Sequence, residues 1–167
     1  MSRSGSLIKN TIVFAIGSIG SKLLQFLLLP LYTHVLTDAQ YGIADVLHSI
    51  ATVATPLLSL TVYESVFRYA MDKVTDPRDV FSTGMHSCLL SALASVLVGL
   101  VFIGGGMDTG YVWAVVGYTV ANFFSITFLQ FIRAMGHVRL YALSNILQTL
   151  LIVIFNVAFL VHFQWGE

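Results

Sequence analysis

Five long apolar stretches, separated by gaps that alternate in positive charge, constrain this chain more than any other feature. The stretches cover roughly residues 8–31, 43–67, 81–103, 111–132 and 141–163. About 20 helical residues cross the ~30 Å hydrocarbon layer of a bilayer, and a helix satisfies its own backbone groups there. The sequence therefore predicts an all-α, multi-pass transmembrane helix bundle, with five spans in a single transmembrane domain over residues 1–167.

The distribution of Lys and Arg predicts the orientation of these spans. Cations precede the first stretch and fill the second and fourth gaps, whereas the first gap, the third gap and the last residues contain none. Apart from Lys22, the cations are Arg3, Lys9 at the very start of the first stretch, Arg68, Lys73, Arg78, Arg133 and Arg139. By the positive-inside rule, we predict a cytoplasmic N-terminus and a C-terminus of this chain on the outside.

Composition and motifs exclude several other classes of protein. With 57% hydrophobic and 10% charged residues, the chain is far more apolar than a soluble domain, in which about 25% of residues are charged. No basic patch is large enough to follow a nucleic-acid backbone, so we expect no nucleic acid as a partner. The single cysteine, Cys88, has no disulfide partner in the chain. Zinc, P-loop, His-Glu-x-x-His and Gly-x-Ser-x-Gly motifs are missing, so we predict no enzyme, metal or cofactor.

The two ends of the chain indicate how the first stretch is used and whether the set of spans is complete. The first stretch is too long for a secretory signal, is interrupted by Lys22 and lacks a small-residue cleavage site, so we interpret it as the first span. Membrane transporters are commonly built from repeated helical units, and five spans make an unfinished unit. We therefore expect the chain to be incomplete at its C-terminus.

Polar residues within the spans follow lines along the helices. In the second span, five polar residues and a proline lie within about 40° of one line at 100° per residue: Asp45, Ser49, Thr52, Pro56, Ser59 and Tyr63. Similar polar sides occur in the first, fourth and fifth spans. Because polar groups are costly in hydrocarbon, these sides predict neighbouring protein or water. Pro56 predicts a kink or local unwinding. Small residues recur every four positions from Ser87 to Gly99 in the third span, which predicts close helix packing.

The chain also resembles a known family in several ordered motifs. The runs that carry the resemblance are Ser21–Thr33 (SKLLQFLLLPLYT), Leu36–Asp45 (LTDAQYGIAD), Val66–Tyr69 (VFRY), Val80–Thr83 (VFST) and Arg133–Ala142 (RAMGHVRLYA). In this order and spacing they resemble the bacterial oligosaccharide flippases, or polysaccharide biosynthesis proteins. These belong to the multidrug, oligosaccharidyl-lipid and polysaccharide exporter superfamily, and the resemblance covers nearly the whole chain.

The resemblance implies a transporter of two six-helix lobes around a central cavity, in the cell inner membrane. This chain would form part of the N-terminal lobe, and its partners would be the missing C-terminal half, membrane lipid and possible polysaccharide assembly machinery. The implied cargo is a polyprenyl-pyrophosphate-linked oligosaccharide. Such a cargo needs a wet cavity for its sugars and pyrophosphate, with edges open to lipid for its tail.

Several residues are candidates for lining that cavity. The candidates for substrate binding are Lys22, Gln25, Ser49, Thr52, Ser59, Tyr63, Arg68, Asn122, Asn145 and Gln148. Lys22 is the cation within a span, where an unpaired ammonium is expensive, so it is a candidate to attract pyrophosphate. Asp45 is the candidate ligand of a coupling cation.

Each candidate also has a purely structural interpretation. Lys22 can pair with a carboxylate or extend to the interface, and Asp45 can be a solvated carboxylate at a helix start. Glu64 and Arg68 are spaced for an interfacial ion pair or for a contact to the next helix. The alternative is a gate or an entry-site cation that meets the lipid-linked phosphate. His48 can titrate with Asp45 or serve as a packing residue with a hydrogen bond. The amides Asn122, Asn145 and Gln148 suit contacts between helices as well as they suit sugar binding.

Two other functions remain open from the sequence. A drug or cation antiporter of the same superfamily would rely more on acidic groups such as Asp45. A membrane scaffold without a transport path would have no water-accessible stripe through Ser49, Thr52 and Ser59.

Overall fold

The computed structural model describes residues 36–72 and 75–157 and, before them, residues 19, 20, 22, 23, 26 and 30, with side chains described as far as residue 154. Within the range from residue 36 onward the chain forms five helices, and the described residues contain no strand. We number these helices α1 (Asp38–Ser59), α2 (Val62–Met71), α3 (Pro77–Gly104), α4 (Thr109–Ala134) and α5 (Val138–Val157).

Three of these helices are long and apolar enough to cross a membrane: α1, α3 and α4. The segment Val138–Ile154 within α5 is a shorter apolar helix. Large apolar side chains such as Leu57, Leu90 and Val101 are exposed along these helices, as expected of surfaces that contact lipid. The prediction of an all-α membrane helix bundle is confirmed, and the protein is a membrane protein.

Side-chain caps explain where several helices begin. Asp76 precedes Pro77 at the start of α3, and its Oδ1 accepts the Arg78 amide at 2.8 Å. Asp108 caps α4 by accepting the amides of Gly110 at 2.8 Å and Tyr111 at 3.2 Å. Each carboxylate satisfies amides that have no partner within the first turn of a helix.

Glycines end α3 and α4. Gly106 adopts φ 89°, and the amide of Met107 then bonds back to the carbonyl of Phe102, which is the Schellman arrangement. Gly136 adopts φ 73° after α4. These left-handed conformations suit glycine because it has no Cβ.

The second predicted span is interrupted. Pro56 lies inside α1, which continues to Ser59, and the interruption falls at Leu60 and Thr61, with φ values of 48° and 53°. The local unwinding predicted at Pro56 is therefore found four residues later. Before it, the hydroxyls of Thr52, Thr55 and Ser59 each donate to the carbonyl four residues earlier, a pattern that weakens and bends helices.

Helices α3 and α4 pack through small residues. A Cβ added at Gly99 would lie 2.7 Å from Cγ2 of Val116, and one added at Gly84 would lie 2.8 Å from Cγ2 of Val66 in α2. Ser91 and Ser95 are also buried on α3. The close packing predicted from the small-residue spacing is confirmed, because only small side chains let helix backbones approach this closely.

Apolar contacts join α2 to α3 and α4 at the opposite end from Gly99. Val66, Ala70 and Val80 form a buried cluster, against which Phe131 and Ala134 pack. The ring of Phe81 lies 4.9 Å from that of Phe131 and 5.5 Å from that of Phe128. This end of the three helices therefore has an ordinary hydrophobic core.

The chain divides into two compact units. The unit Ala44–Gly136 contains most of α1 and all of α2, α3 and α4, and the second unit consists of Met1–Ile43 with His137–Glu167 and contains α5. The contacts described below lie within the first of these units unless stated otherwise.

Candidate functional site

The polar line of the second predicted span is divided in the structure. Asp45, Ser49 and Thr52 are exposed along α1, Tyr63 is half-buried at the start of α2, and Ser59 is buried. Asp45 lies seven residues after the start of α1, not at a helix start. An exposed carboxylate two turns into an apolar helix is unfavourable against hydrocarbon, so this side of α1 suits contact with water or protein.

The polar sides of α1 and α4 meet at His48 and Tyr118. The Tyr118 hydroxyl lies 3.2 Å from Nε2 of His48, and the two rings form an edge contact with centroids 5.3 Å apart. Both side chains remain exposed, Tyr118 at 43%. The structure thus gives His48 a hydrogen-bonding partner in another helix, whereas the sequence left a titrating pair with Asp45 open. The junction thus places two aromatic rings and their hydrogen-bonding groups next to each other on an exposed surface.

Asn122 continues this polar side one turn beyond Tyr118. It is half-buried, as is Ser125 on the same side of α4. Aligned with Tyr118 at 100° per residue, these residues extend the polar side along α4.

The opposite side of α1 is apolar. Leu47, Ile50, Ala54 and Leu58 lie about 180° from the polar line at 100° per residue. Together with residues of α3 and α4 they line an open groove of about 160 Å³. Helix α1 therefore separates a polar surface from an apolar groove.

A small cavity with several hydroxyl groups in its lining lies beside the interruption between α1 and α2. Its volume is about 10 Å³, close to the minimum for one water molecule. Its lining includes Ser59, Tyr63, Ser87, Ser91 and Thr127. Ser59 and Ser91 donate to carbonyls of their own helices, so their oxygens retain the capacity to accept a hydrogen bond.

The candidate Arg68 lies near a polar contact between α2 and α4. Glu64 accepts a hydrogen bond from Nε2 of Gln130 at 2.9 Å, and Cζ of Arg133 lies 4.7 Å from the centroid of the Phe67 ring. The contact of Glu64 is with α4, and not with α3, the next helix along the chain. Arg68 is exposed on α2.

The remaining candidates lie in the second unit, and the structure describes only some of them. Lys22 is helical and exposed, while Gln25 lies outside the described residues. In α5, Asn145 is half-buried and donates to the carbonyl of Tyr141, and Gln148 is exposed. Thr149, which donates to the carbonyl of Asn145, is buried.

Two features of the site were not predicted from the sequence. The contact between His48 and Tyr118 joins residues 70 positions apart, and nothing in their local sequence indicates it. The buried face of α4 does have a signal: Val112, Val116, Thr119, Phe123 and Thr127 recur at spacings of three and four, which is the pattern of a helix interface.

Comparison with curated proteins and with solved structures gives no match. The family model described as "Polysaccharide biosynthesis protein" matches residues 7–166, which is nearly the whole sequence. This match agrees with the resemblance carried by the ordered motifs and with a bundle of apolar helices. The chain therefore belongs to the polysaccharide biosynthesis protein family.

Proposed function

We propose that this protein works as a transporter, part of a flippase that moves lipid-linked oligosaccharide across the cell inner membrane for polysaccharide biosynthesis. The observation that carries the proposal is the junction of the polar sides of α1 and α4 at His48 and Tyr118. In helices of this apolarity, an exposed polar surface is favourable only beside water or other polar groups. A wall of an aqueous passage supplies that environment.

The side chains of this surface suit the headgroup of such a cargo. Sugars have hydroxyls that donate and accept hydrogen bonds, and apolar ring faces that pack on aromatic side chains. Ser49, Thr52 and Asn122 supply hydrogen-bonding groups, and the rings of His48 and Tyr118 supply the aromatic surface. Arg68 is an exposed cation of α2 that we assign to attraction of the pyrophosphate. Lys22, which is exposed in the other unit, is a separate candidate for the same role.

The groove on the other side of α1 suits the rest of the cargo. Its lining is almost wholly apolar, with Leu47, Ile50 and Leu58 from α1. An isoprenoid chain or the acyl chain of a membrane lipid would find there the same apolar contacts that it makes in the bilayer. A bundle with separate polar and apolar surfaces is what transport of an amphipathic lipid needs.

Flipping of a fluorescent polyprenyl-pyrophosphate-linked oligosaccharide tests this proposal, with the full-length protein reconstituted in proteoliposomes. We expect Tyr118→Leu to lower the flipping rate about tenfold, which corresponds to a loss of ~1.4 kcal/mol of interaction with the passing headgroup. Trp113→Leu is the matched control, because Trp113 is an exposed aromatic residue on the opposite side of α4 and should leave the rate unchanged.

Equal rates for the wild type and both variants would contradict the role of the junction. No flipping by the wild-type protein, together with proton-driven or sodium-driven efflux of cationic amphiphiles, would favour a drug or cation antiporter. Absence of both activities would favour a membrane scaffold.

A further inference from the structure

The interruption at Leu60 and Thr61 carries an inference beyond the proposed transport. Both residues adopt left-handed backbone conformations, which non-glycine residues rarely occupy and which are least favourable for a β-branched residue such as Thr61. Thr61 precedes α2 without a side-chain capping bond, and Leu60 is 80% exposed, so neither a cap by Thr61 nor burial of Leu60 offsets the cost of the strained backbone. Such strain concentrates at segments that change conformation.

The sequence pattern indicates a second conformation of this segment. Asp45, Ser49 and Thr52 on one side of the interruption are in phase with Tyr63 on the other, at the 100° per residue of an uninterrupted helix. Two left-handed residues destroy that phase. The polar residues before and after the break would face the same side only in an uninterrupted helix. Their spacing is therefore expected if residues 38–71 also exist as one helix.

Separate contacts hold the two sides of the interruption. Helix α2 is fixed to α3 and α4, through Val66 against Gly84 and through Glu64 bonded to Gln130. Helix α1 contacts α4 through His48 and Tyr118. Because the two helices have their own contacts, a change at Leu60 and Thr61 can alter their relative direction while α2 stays packed.

We propose that Leu60 and Thr61 form a conformational switch between the interrupted state and one continuous helix over residues 38–71. In the interrupted state Ser59 is buried beside the cavity of about 10 Å³. In the continuous state Ser59 leaves this cavity and joins the exposed line of Asp45, Ser49 and Thr52, which then continues in phase to Tyr63 at the start of α2. The switch thereby controls the length of the polar surface, whichever cargo uses it.

Distances between two spin labels test the switch in the full-length protein in lipid nanodiscs. The labels replace Val53 in α1 and Met71 in α2, which are both exposed, and Cys88 is replaced by alanine. In a continuous helix these positions are 18 residues apart, which gives a separation of about 27 Å along the axis. We expect two distance populations, one near this value and one from the interrupted state.

Substitutions at the switch should change the ratio of these populations in opposite directions. Thr61→Gly removes the penalty of the left-handed conformation and should raise the ratio of interrupted to continuous helix about tenfold. Leu60→Ile introduces a β-branch and should lower the ratio. Leu57→Gly is the control, because residue 57 is helical in both states, so it should leave the ratio unchanged. A single population in the wild type, or a ratio that neither substitution at the switch changes, would overturn the proposal.

Discussion

At the scale of single residues, two glycines of α3 determine how closely this helix approaches its neighbours. Gly99 and Gly84 lie where any Cβ would meet a valine of α4 or α2 within 3 Å. Valine has one strongly preferred rotamer in a helix, so it cannot easily move aside. Both glycines are therefore required by packing, although neither adopts an unusual backbone conformation.

Replacing Gly99 by leucine should destabilise the bundle. Overpacking of a close interface costs about 1–3 kcal/mol, so we expect a lower midpoint of thermal unfolding in detergent, followed by size-exclusion chromatography. Gly117→Leu is the matched control, since Gly117 lies in α4 with nothing within 4 Å of an added Cβ. Equal midpoints for the two variants would show that α3 and α4 do not pack closely at Gly99.

At the scale of helices, the caps of α3 and α4 were not predicted, although the sequence contains their signals. An Asp before Pro77 and an Asp before the apolar run of α4 are ordinary N-terminal signals. The glycines at 104–106 favour a flexible turn when only the sequence is considered, whereas the Asp108 carboxylate starts the next helix.

The cap of α4 leads to a second prediction about stability. Asp108→Ala removes the acceptor of two amides and should destabilise the protein by about 1 kcal/mol, measured as a lower midpoint of thermal unfolding. Asp108→Asn keeps a side-chain oxygen at the same place and should lie close to the wild type. A midpoint for Asp108→Ala equal to that of Asp108→Asn would mean that the cap contributes nothing.

The position of the break between α1 and α2 could not be predicted from the sequence. Pro56 indicates that a helix will be disturbed, but it does not determine where. The preceding hydroxyls of Thr52 and Thr55 bond within the helix, and α2 is held by contacts with α3 and α4. The position of the break depends on these distant contacts, which local sequence does not contain.

For the whole molecule, the fold class follows from the sequence because bilayer thickness and backbone hydrogen bonding leave helices as the solution for such apolar stretches. The sequence patterns identify the polar residues of each span, but they do not indicate which residues surround each of them in the fold. Ser59 was grouped with Ser49 and Thr52, yet the first is buried and the other two are exposed. Which polar groups meet, as His48 and Tyr118 do, depends on how the helices pack.

The proposed transport requires that the polar side of α1 borders water while its neighbouring apolar surfaces border lipid. The most direct test is the reaction of single cysteines with a membrane-impermeant thiol reagent, in full-length protein whose Cys88 is replaced by serine. Cysteines at Ser49 and Thr52 test the polar side, and cysteines at Val53 and Leu57, which are exposed and apolar, are the matched controls.

We expect the cysteines at 49 and 52 to react at least about tenfold faster than those at 53 and 57, because the reactive thiolate forms in water and not in hydrocarbon. Equal protection at all four positions, measured in the complete protein in membranes, would contradict the existence of an aqueous passage along α1.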